Sequence, residues 1–183
     1  MKVAGLFAGI GGIEQGLAQA GHQTTLLCEI DEGARAVLTS HFGNVPIAAD
    51  VAELDDLGSA DLVTAGFPCQ DLSQAGRTRG ISGPRSSVVS HLFRLLDGSP
   101  SPDWVLIENV PFLLHLDRGR AMSFLVRELE TRGYSWAYRV IDTMAFGLPQ
   151  RRRRVWLLAS KGADPRGVLL AEDAGRLPNE SGA

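Results

Sequence analysis

Short apolar runs with strand character alternate along this chain with segments patterned for helix, and nearly every run ends on a glycine or an acid. The run 2–7 leads into Ala8-Gly9-Ile10-Gly11-Gly12, and 24–28 ends at Glu29-Ile30-Asp31. Runs 46–49, 61–65 and 104–107 end at Asp50, at Gly66-Phe67-Pro68-Cys69 and at Glu108-Asn109. Between them, Ile13, Leu17 and Ala20 recur at helical spacing and stop at Gly21, as do Ala34, Val37, Leu38 and His41 over 32–42. Val88, Val89, Leu92, Phe93 and Leu96 mark one face of a helix over 86–96. A further helix covers 120–132, with Glu128 and Arg132 spaced for an i,i+4 pair. Weak alternation over 134–141 and an apolar run at 155–159 add two strands, and 70–84, polar and glycine-bearing, reads as a loop. This alternation predicts an α/β domain with a largely parallel sheet over residues 1–160, followed by a loosely patterned tail, 161–183, that frays at 179–183. Ligands bind at the carboxyl ends of the strands in such sheets. Gly9, Gly11, Glu29, Asp50, Cys69 and Glu108 should therefore meet on one rim.

Composition narrows the classes. A chain of 183 residues can bury about 70% of its unfolded surface. With 44% hydrophobic and 21% charged residues it lies far from disorder. Cys28 and Cys69 form no metal-ligand spacing and no disulfide framework. No apolar run approaches the ~18 residues of a membrane span, and residues 2–12 are too glycine-rich for a secretory signal, so a soluble intracellular protein without membrane partner or metal is expected. The net charge of −3 does not suggest a nucleic-acid binder, but its distribution does. Residues 1–70 hold two cations against nine acids; residues 71–160 hold thirteen arginines, and no lysine, against eight acids. Arginine suits planar bidentate contacts to phosphate and base, although an Arg-for-Lys codon preference would give the same count.

Five segments carry candidate chemistry. The glycine loop lets backbone approach a ligand, but a dinucleotide fingerprint needs glycine where Glu14 stands. That carboxylate would sit badly beside a pyrophosphate, and an uncharged or zwitterionic nucleoside suits the loop better; a tight structural turn is the plainer alternative. Glu29 could accept both ribose hydroxyls and Asp50 an adenine amino group. Singly each is a solvated loop acid; together they favour an adenosine-containing cofactor. Cys28 reads as a small buried hydrophobe. Cys69 follows a proline and opens a polar loop, as a presented nucleophile would, with Arg85, Arg152 and Arg154 as cations that could raise its thiolate fraction. Glu108, at the end of a buried strand, is a candidate proton donor or an exposed cap acid. In Gln150-Arg151-Arg152-Arg153-Arg154, an extended backbone would put Arg152 and Arg154 on one side and Arg151 and Arg153 on the other.

The order and text of these segments resemble the cytosine-5 DNA methyltransferases. Phe7-Ala8-Gly9-Ile10-Gly11-Gly12 is similar to that family's cofactor loop, and Gly66-Phe67-Pro68-Cys69-Gln70 with Ser73 to its nucleophile loop. Glu108-Asn109-Val110 is similar to its Glu-Asn-Val motif, and Gln150-x-Arg152-x-Arg154 to its Gln-x-Arg-x-Arg motif. The resemblance spans residues 3 to about 159 and implies a Rossmann-like S-adenosylmethionine-dependent methyltransferase fold, mostly parallel with an antiparallel last strand. It implies S-adenosylmethionine as cofactor, S-adenosylhomocysteine as product and double-stranded DNA as partner, in a bacterial or phage setting. By the same match, Cys69, Glu108, Arg152 and Arg154 are catalytic. Phe7, Gly9, Gly11, Glu29, Ile30, Asp50, Val51 and Pro68 line the cofactor pocket, and Gln70, Ser73, Arg77, Arg79 and Arg85 face DNA. The family's target-recognition domain and C-terminal return segment have no counterpart after Ala159. A fragment, half of a two-chain enzyme and a truncated inactive product are the alternatives, and apolar surface should lie uncovered around Val3 and the first helix. A silent cofactor- or DNA-binding module and a nicotinamide oxidoreductase are the competing functions. Glu14 and the Pro68-Cys69-Gln70 loop weigh against the oxidoreductase.

Overall fold

The computed structural model describes residues 1–68, 88–98 and 100–171. Seven strands form one sheet: β1 (Lys2–Leu6), β2 (Gln23–Cys28), β3 (Ile47–Ala48), β4 (Leu62–Ala65), β5 (Trp104–Asn109), β6 (Ser135–Asp142) and β7 (Arg153–Ser160). Their spatial order is β3-β2-β1-β4-β5-β7-β6. The β3–β2, β2–β1, β1–β4 and β4–β5 pairs are parallel, whereas β7 runs antiparallel to both β5 and β6. The helices are α1 (Gly12–Gln19), α2 (Glu32–Phe42), α3 (Val88–Leu96), α4 (Arg120–Glu130) and a single turn, α5 (Arg166–Leu169), in the segment the sequence leaves unpatterned. The expected loop over 70–84 and the frayed end at 179–183 lie outside the described residues.

Alternation sorts the strand residues onto two faces. On one, Val63, Ala65, Val105, Ile107, Leu157 and Ala159 pack beneath α3 and α4, whose Val89, Leu92, Phe93, Leu125 and Leu129 are fully or nearly fully buried. This is the core, and α3 supplies it as its apolar spacing predicts. On the other, α1 and α2 cover the β1 side. Here the expected α1 stripe fails: Ile13 and Leu17 are half-buried, Ala20 is exposed, and the buried residue is Glu14. Asp31 starts α2, its carboxylate accepting the Ala34 N–H at 2.7 Å, a side-chain cap of the usual kind.

Toward β5, β7 and β6 this second face lies open. A groove of about 620 Å³ is walled by Leu17, Leu62, Trp104, Leu106, Trp156 and Leu158, with Val168 and Leu169 of α5 beside them. The uncovered apolar surface expected near α1 is therefore present, but Val3 is fully buried and is not part of it. Among the described residues no helix is long and apolar enough to cross a membrane.

Candidate active site

Because β1 to β5 are parallel, the residues following β1, β2, β3 and β4 reach one rim. There they enclose a cavity of about 320 Å³ lined by Phe7, Gly9, Glu29, Ile30, Asp50, Val51 and Pro68, together with Cys28, Gly66 and Val88. Seven of the eight sequence-expected cofactor residues are thus brought together. Gly11 is the exception. Its φ is +83°, and a Cβ there would run into Phe42 and Leu38 of α2, so this glycine serves helix packing and does not line the cavity.

The loop is shaped by its backbone. Phe7 has φ +55° and Gly9 φ +56°. For phenylalanine this left-handed conformation is costly and persists only where its surroundings enforce it. It turns the chain sharply at the end of β1. The Phe7 ring meets Phe67 edge-on at 6.0 Å between centroids, which joins the ends of β1 and β4 into one wall. Glu29 fixes the opposite side: its Oε2 accepts the Gly9 N–H at 2.7 Å and its Oε1 the Asp31 N–H at 2.9 Å. The Gly11 N–H is spent on the Ala8 carbonyl at 2.8 Å. The loop therefore presents a carboxylate where a phosphate-binding loop presents bare N–H groups.

This corrects the reading of Glu14. Its carboxylate does not face the cavity. It lies over Gly5, where a Cβ would come within 2.8 Å of Glu14 Cδ, and accepts a hydrogen bond from the Thr64 hydroxyl. Glu14 Oε2 is buried without a partner among the described residues. Burial pushes the Glu14 carboxyl above its ordinary 4.5, and the Thr64 bond offsets only part of that rise. Glu29, which follows β2, is the carboxylate bonded to the glycine loop.

Asp50 accepts the Ala52 N–H on Oδ1 at 2.8 Å, and its carbonyl accepts from Glu53, so a short turn holds it and Val51 at the cavity. Cys28, which the sequence assigns to the core, is 2% exposed at the cavity floor. Burial first, then the Asp50 and Glu29 charges, push its thiol up to about 11.

Glu108 lies within β5, one residue before its end, and not past it. Reversal of β7 brings that strand's first residues to the rim where β5 finishes, pairing Glu108 with Trp156. Arg154, two residues before Trp156 and so on the same face, reaches Glu108 diagonally: Nε to Oε1 is 2.7 Å. Both side chains keep about a fifth of their surface exposed. Arg154 Nη1 also donates to the Arg153 carbonyl at 2.8 Å. Gly66, which lines the cavity, places no side chain against Glu108; a Cβ there would lie 3.6 Å from Glu108 Oε2, so the ion pair borders the cavity. Arg152 precedes the strand and its side chain is exposed; its carbonyl accepts the Thr143 N–H at 3.1 Å. The expected sharing of one face by Arg152 and Arg154 is not a strand feature here, since β7 begins at Arg153.

Asn109 stands in the Glu108-Asn109-Val110 motif, and nothing in the sequence gives it a role. It is buried, donates from Nδ2 to the Phe67 carbonyl at 2.9 Å and accepts the Val110 N–H at 2.9 Å. It thereby anchors the segment that ends at Pro68. A buried asparagine at a strand end is the signal that could have marked it. Cys69, Gln70, Ser73, Arg77, Arg79 and Arg85 lie outside the described residues. Pro68 and Val88, on either side of that segment, both line the cavity. Among the described residues no group of three His, Cys, Asp or Glu side chains is gathered for a metal ion.

The type II methyltransferase M2.BsuMI of Bacillus subtilis is 54% identical over 176 residues, covering 94% of this chain and 45% of that protein. The type II methyltransferase M.BanI of Aneurinibacillus aneurinilyticus is 33% identical over 190 residues, covering 98% and 44%. The chain spans about half the length of the curated relatives it matches. Among solved structures, the Dnmt2 methyltransferase of S. pombe superposes with a TM-score of 0.75 at 22% identity, over 98% of this chain and 58% of that one. The Entamoeba histolytica methyltransferase EhMeth gives 0.69 at 19%, over 89% and 53%. These likenesses give the fold: a mostly parallel, Rossmann-like methyltransferase sheet whose last strand is antiparallel. The family match runs over residues 1–180, nearly the whole length, and the chain belongs to the C-5 cytosine-specific DNA methylases.

Proposed function

We propose that the chain is the catalytic and cofactor-binding part of a DNA cytosine-5 methyltransferase, carrying a methyl group from S-adenosylmethionine to C5 of cytosine in double-stranded DNA. The observation that carries this reading is one cavity lined by the glycine loop, Glu29, Asp50 and Pro68, with the Glu108–Arg154 pair at its Gly66 wall. The donor set fits the cofactor. Each carboxylate oxygen has two lone pairs, so Glu29 can accept from a ribose diol while still holding Gly9 and Asp31. Asp50 is assigned to accept from an adenine amino group, and Phe7, Ile30 and Val51 to give the purine apolar surface. An acidic rim favours a sulfonium cation. When bound, the cofactor supplies an electrophilic methyl group.

The protein's own groups do the rest. Cytosine C5 is a weak nucleophile. Addition of the Cys69 thiolate to C6 forms an S–C6 bond and shifts the C5=C6 electron pair onto C5. Glu108 accepts from the N4 amino group and shares a proton at N3, limiting the charge that builds in the ring. Arg154 donates to O2, and Arg152 supports the start of the same strand. After C5 is methylated, loss of the C5 proton expels Cys69 as thiolate and restores the double bond. The target atoms are stacked inside a duplex, so the base is flipped out at a cost of a few kcal/mol. Gln70, Ser73, Arg77, Arg79 and Arg85 are assigned to the DNA side of that event.

Target recognition is assigned to a further polypeptide segment or second chain. The open apolar groove beside Trp104 and Trp156 supports a further covering segment, because contiguous apolar surface of this kind marks a contact with another polypeptide. The reading puts the protein in the cytoplasm of a bacterial cell, with its DNA. The test is transfer of tritiated methyl groups to mixed-sequence DNA, with the completing polypeptide supplied and Cys69→Ala as control. Cys69-dependent label on cytosine and an adduct between Cys69 and a 5-fluorocytosine oligonucleotide are expected. Absence of label would favour a silent binding module, and label surviving in C69A would refute the covalent step.

A further inference from the structure

One cation far from the motif residues in sequence holds a wall of the cofactor cavity. Arg94 stands on the exposed side of α3, opposite the buried Val89, Leu92, Phe93 and Leu96. Its Nη2 donates to the Val51 carbonyl at 2.9 Å and the Leu54 carbonyl at 2.8 Å, with a longer contact to the Ala52 carbonyl at 3.5 Å. The N–H groups of the same turn are used internally: Ala52 donates to Asp50 Oδ1, Glu53 to the Asp50 carbonyl and Leu54 to the Val51 carbonyl. The turn 50–54 is thus tied on its donor side by Asp50 and on its acceptor side by Arg94. Asp50 and Val51 line the cavity, and so does Val88 in the first turn of α3. One helix therefore reaches the cavity twice, directly through Val88 and indirectly through Arg94.

From this we infer that Arg94 is a positioning residue for the adenosine end of the cavity. It keeps the 50–54 turn in the one geometry that aims Asp50 and Val51 at a ligand, and it couples that wall to α3. The inference rests on the reading of this cavity as a cofactor site. Arg94 is not needed for folding, because α3 is held by its buried face. Without it the Ala52 and Leu54 carbonyls lose this donor, the Val51 carbonyl keeps only the Leu54 N–H, and the turn samples other geometries. If the freed turn is competent about a tenth of the time, apparent affinity falls about tenfold. Every contact comes from a single nitrogen, so a lysine ammonium can reproduce most of them.

The experiment titrates S-adenosylhomocysteine into wild type, Arg94→Met and Arg94→Lys by calorimetry, and follows hydrogen exchange of the Ala52, Glu53 and Leu54 amides in the ligand-free proteins. R94M should bind about tenfold more weakly, with faster exchange at those three amides and unchanged exchange in α3, and R94K should recover both properties. Wild-type affinity in R94M, or weakened binding with unchanged exchange at the turn, would overturn the inference while the cofactor reading stands. An R94M chain that no longer folds would also overturn it, since the role would then be structural. Failure of wild type itself to bind would sink the cofactor reading and this inference with it.

Discussion

Replacing Glu14 by glutamine should make the protein more stable, and by an amount that depends on pH. Glu14 is 1% exposed, lies on Gly5, and has one oxygen bonded by Thr64 and one without a partner among the described residues. Burial raises its folded-state pKa above 4.5, the value it keeps in an unfolded chain. The folded protein then binds the proton more tightly than the unfolded one. The stability this gives is complete below the unfolded value and is lost as pH rises toward and through the folded value. In that window the loss approaches about 1.4 kcal/mol per pH unit, the free energy of one proton per unit. Glutamine matches the protonated carboxyl in shape, accepts from Thr64 and does not titrate. The stability difference, E14Q minus wild type, should therefore start to climb near pH 4.5 and level off above the folded pKa. Urea unfolding at half-unit steps from about pH 4 to pH 8 reads this directly, with constant m-values as the check on two-state behaviour. Thr64→Val, which removes the bond that holds the folded pKa down, should leave the start of the climb near pH 4.5 and extend it to higher pH in the wild-type background, without changing the shape of the E14Q profile. A difference independent of pH, or one that shrinks as pH rises, would refute the assignment of a buried, proton-holding carboxyl.

Three further outcomes are expected. Gly11→Ala sets a methyl group against Phe42 and Leu38 at a φ of +83°, and thermal melts should report a loss of about 1–3 kcal/mol. Asn109→Ala leaves the Phe67 carbonyl without its donor, which should cost about 1–3 kcal/mol in denaturant titration and should lower methyl transfer by more than it lowers cofactor affinity. Cys28, with its thiol pushed up to about 11, should be only about one part in a thousand thiolate at pH 8 and should resist iodoacetamide in the folded protein, as mass mapping of the labelled peptides would show; prompt labelling would contradict its burial at the cavity floor.

Much of this protein could be read along the chain. Apolar runs ending in Gly9, Glu29, Asp50 and Gly66 announced parallel strands, and a parallel sheet sends all its carboxyl ends to one edge. That is why Gly9, Glu29 and Asp50 could be placed at one cavity, to which the family resemblance added Phe7, Ile30, Val51 and Pro68. The stripe on α3 was legible too, because buried helix faces repeat every three or four positions. Glu14 broke the same rule on α1. A carboxyl in an apolar stripe can be buried only if a partner and a space await it, and Thr64, 50 residues away, and the bare Gly5 backbone supply them. Gly11 stands against Phe42 and Leu38 of α2, which the chain order does not announce, for the same reason: periodicity does not tell what lies across from a residue.

What the sequence by itself determined is the set of local choices: where strands end, and which glycines, acids and arginines stand at those ends. The tertiary structure alone decided the pairings. Reversal of β7 set Arg154 against Glu108, Asn109 reached back to Phe67, and Arg94 closed on a turn some 40 residues earlier. Spacing along a chain governs only near neighbours on one element. Contacts between elements depend on strand order and direction, and those are settled when the whole sheet buries its core.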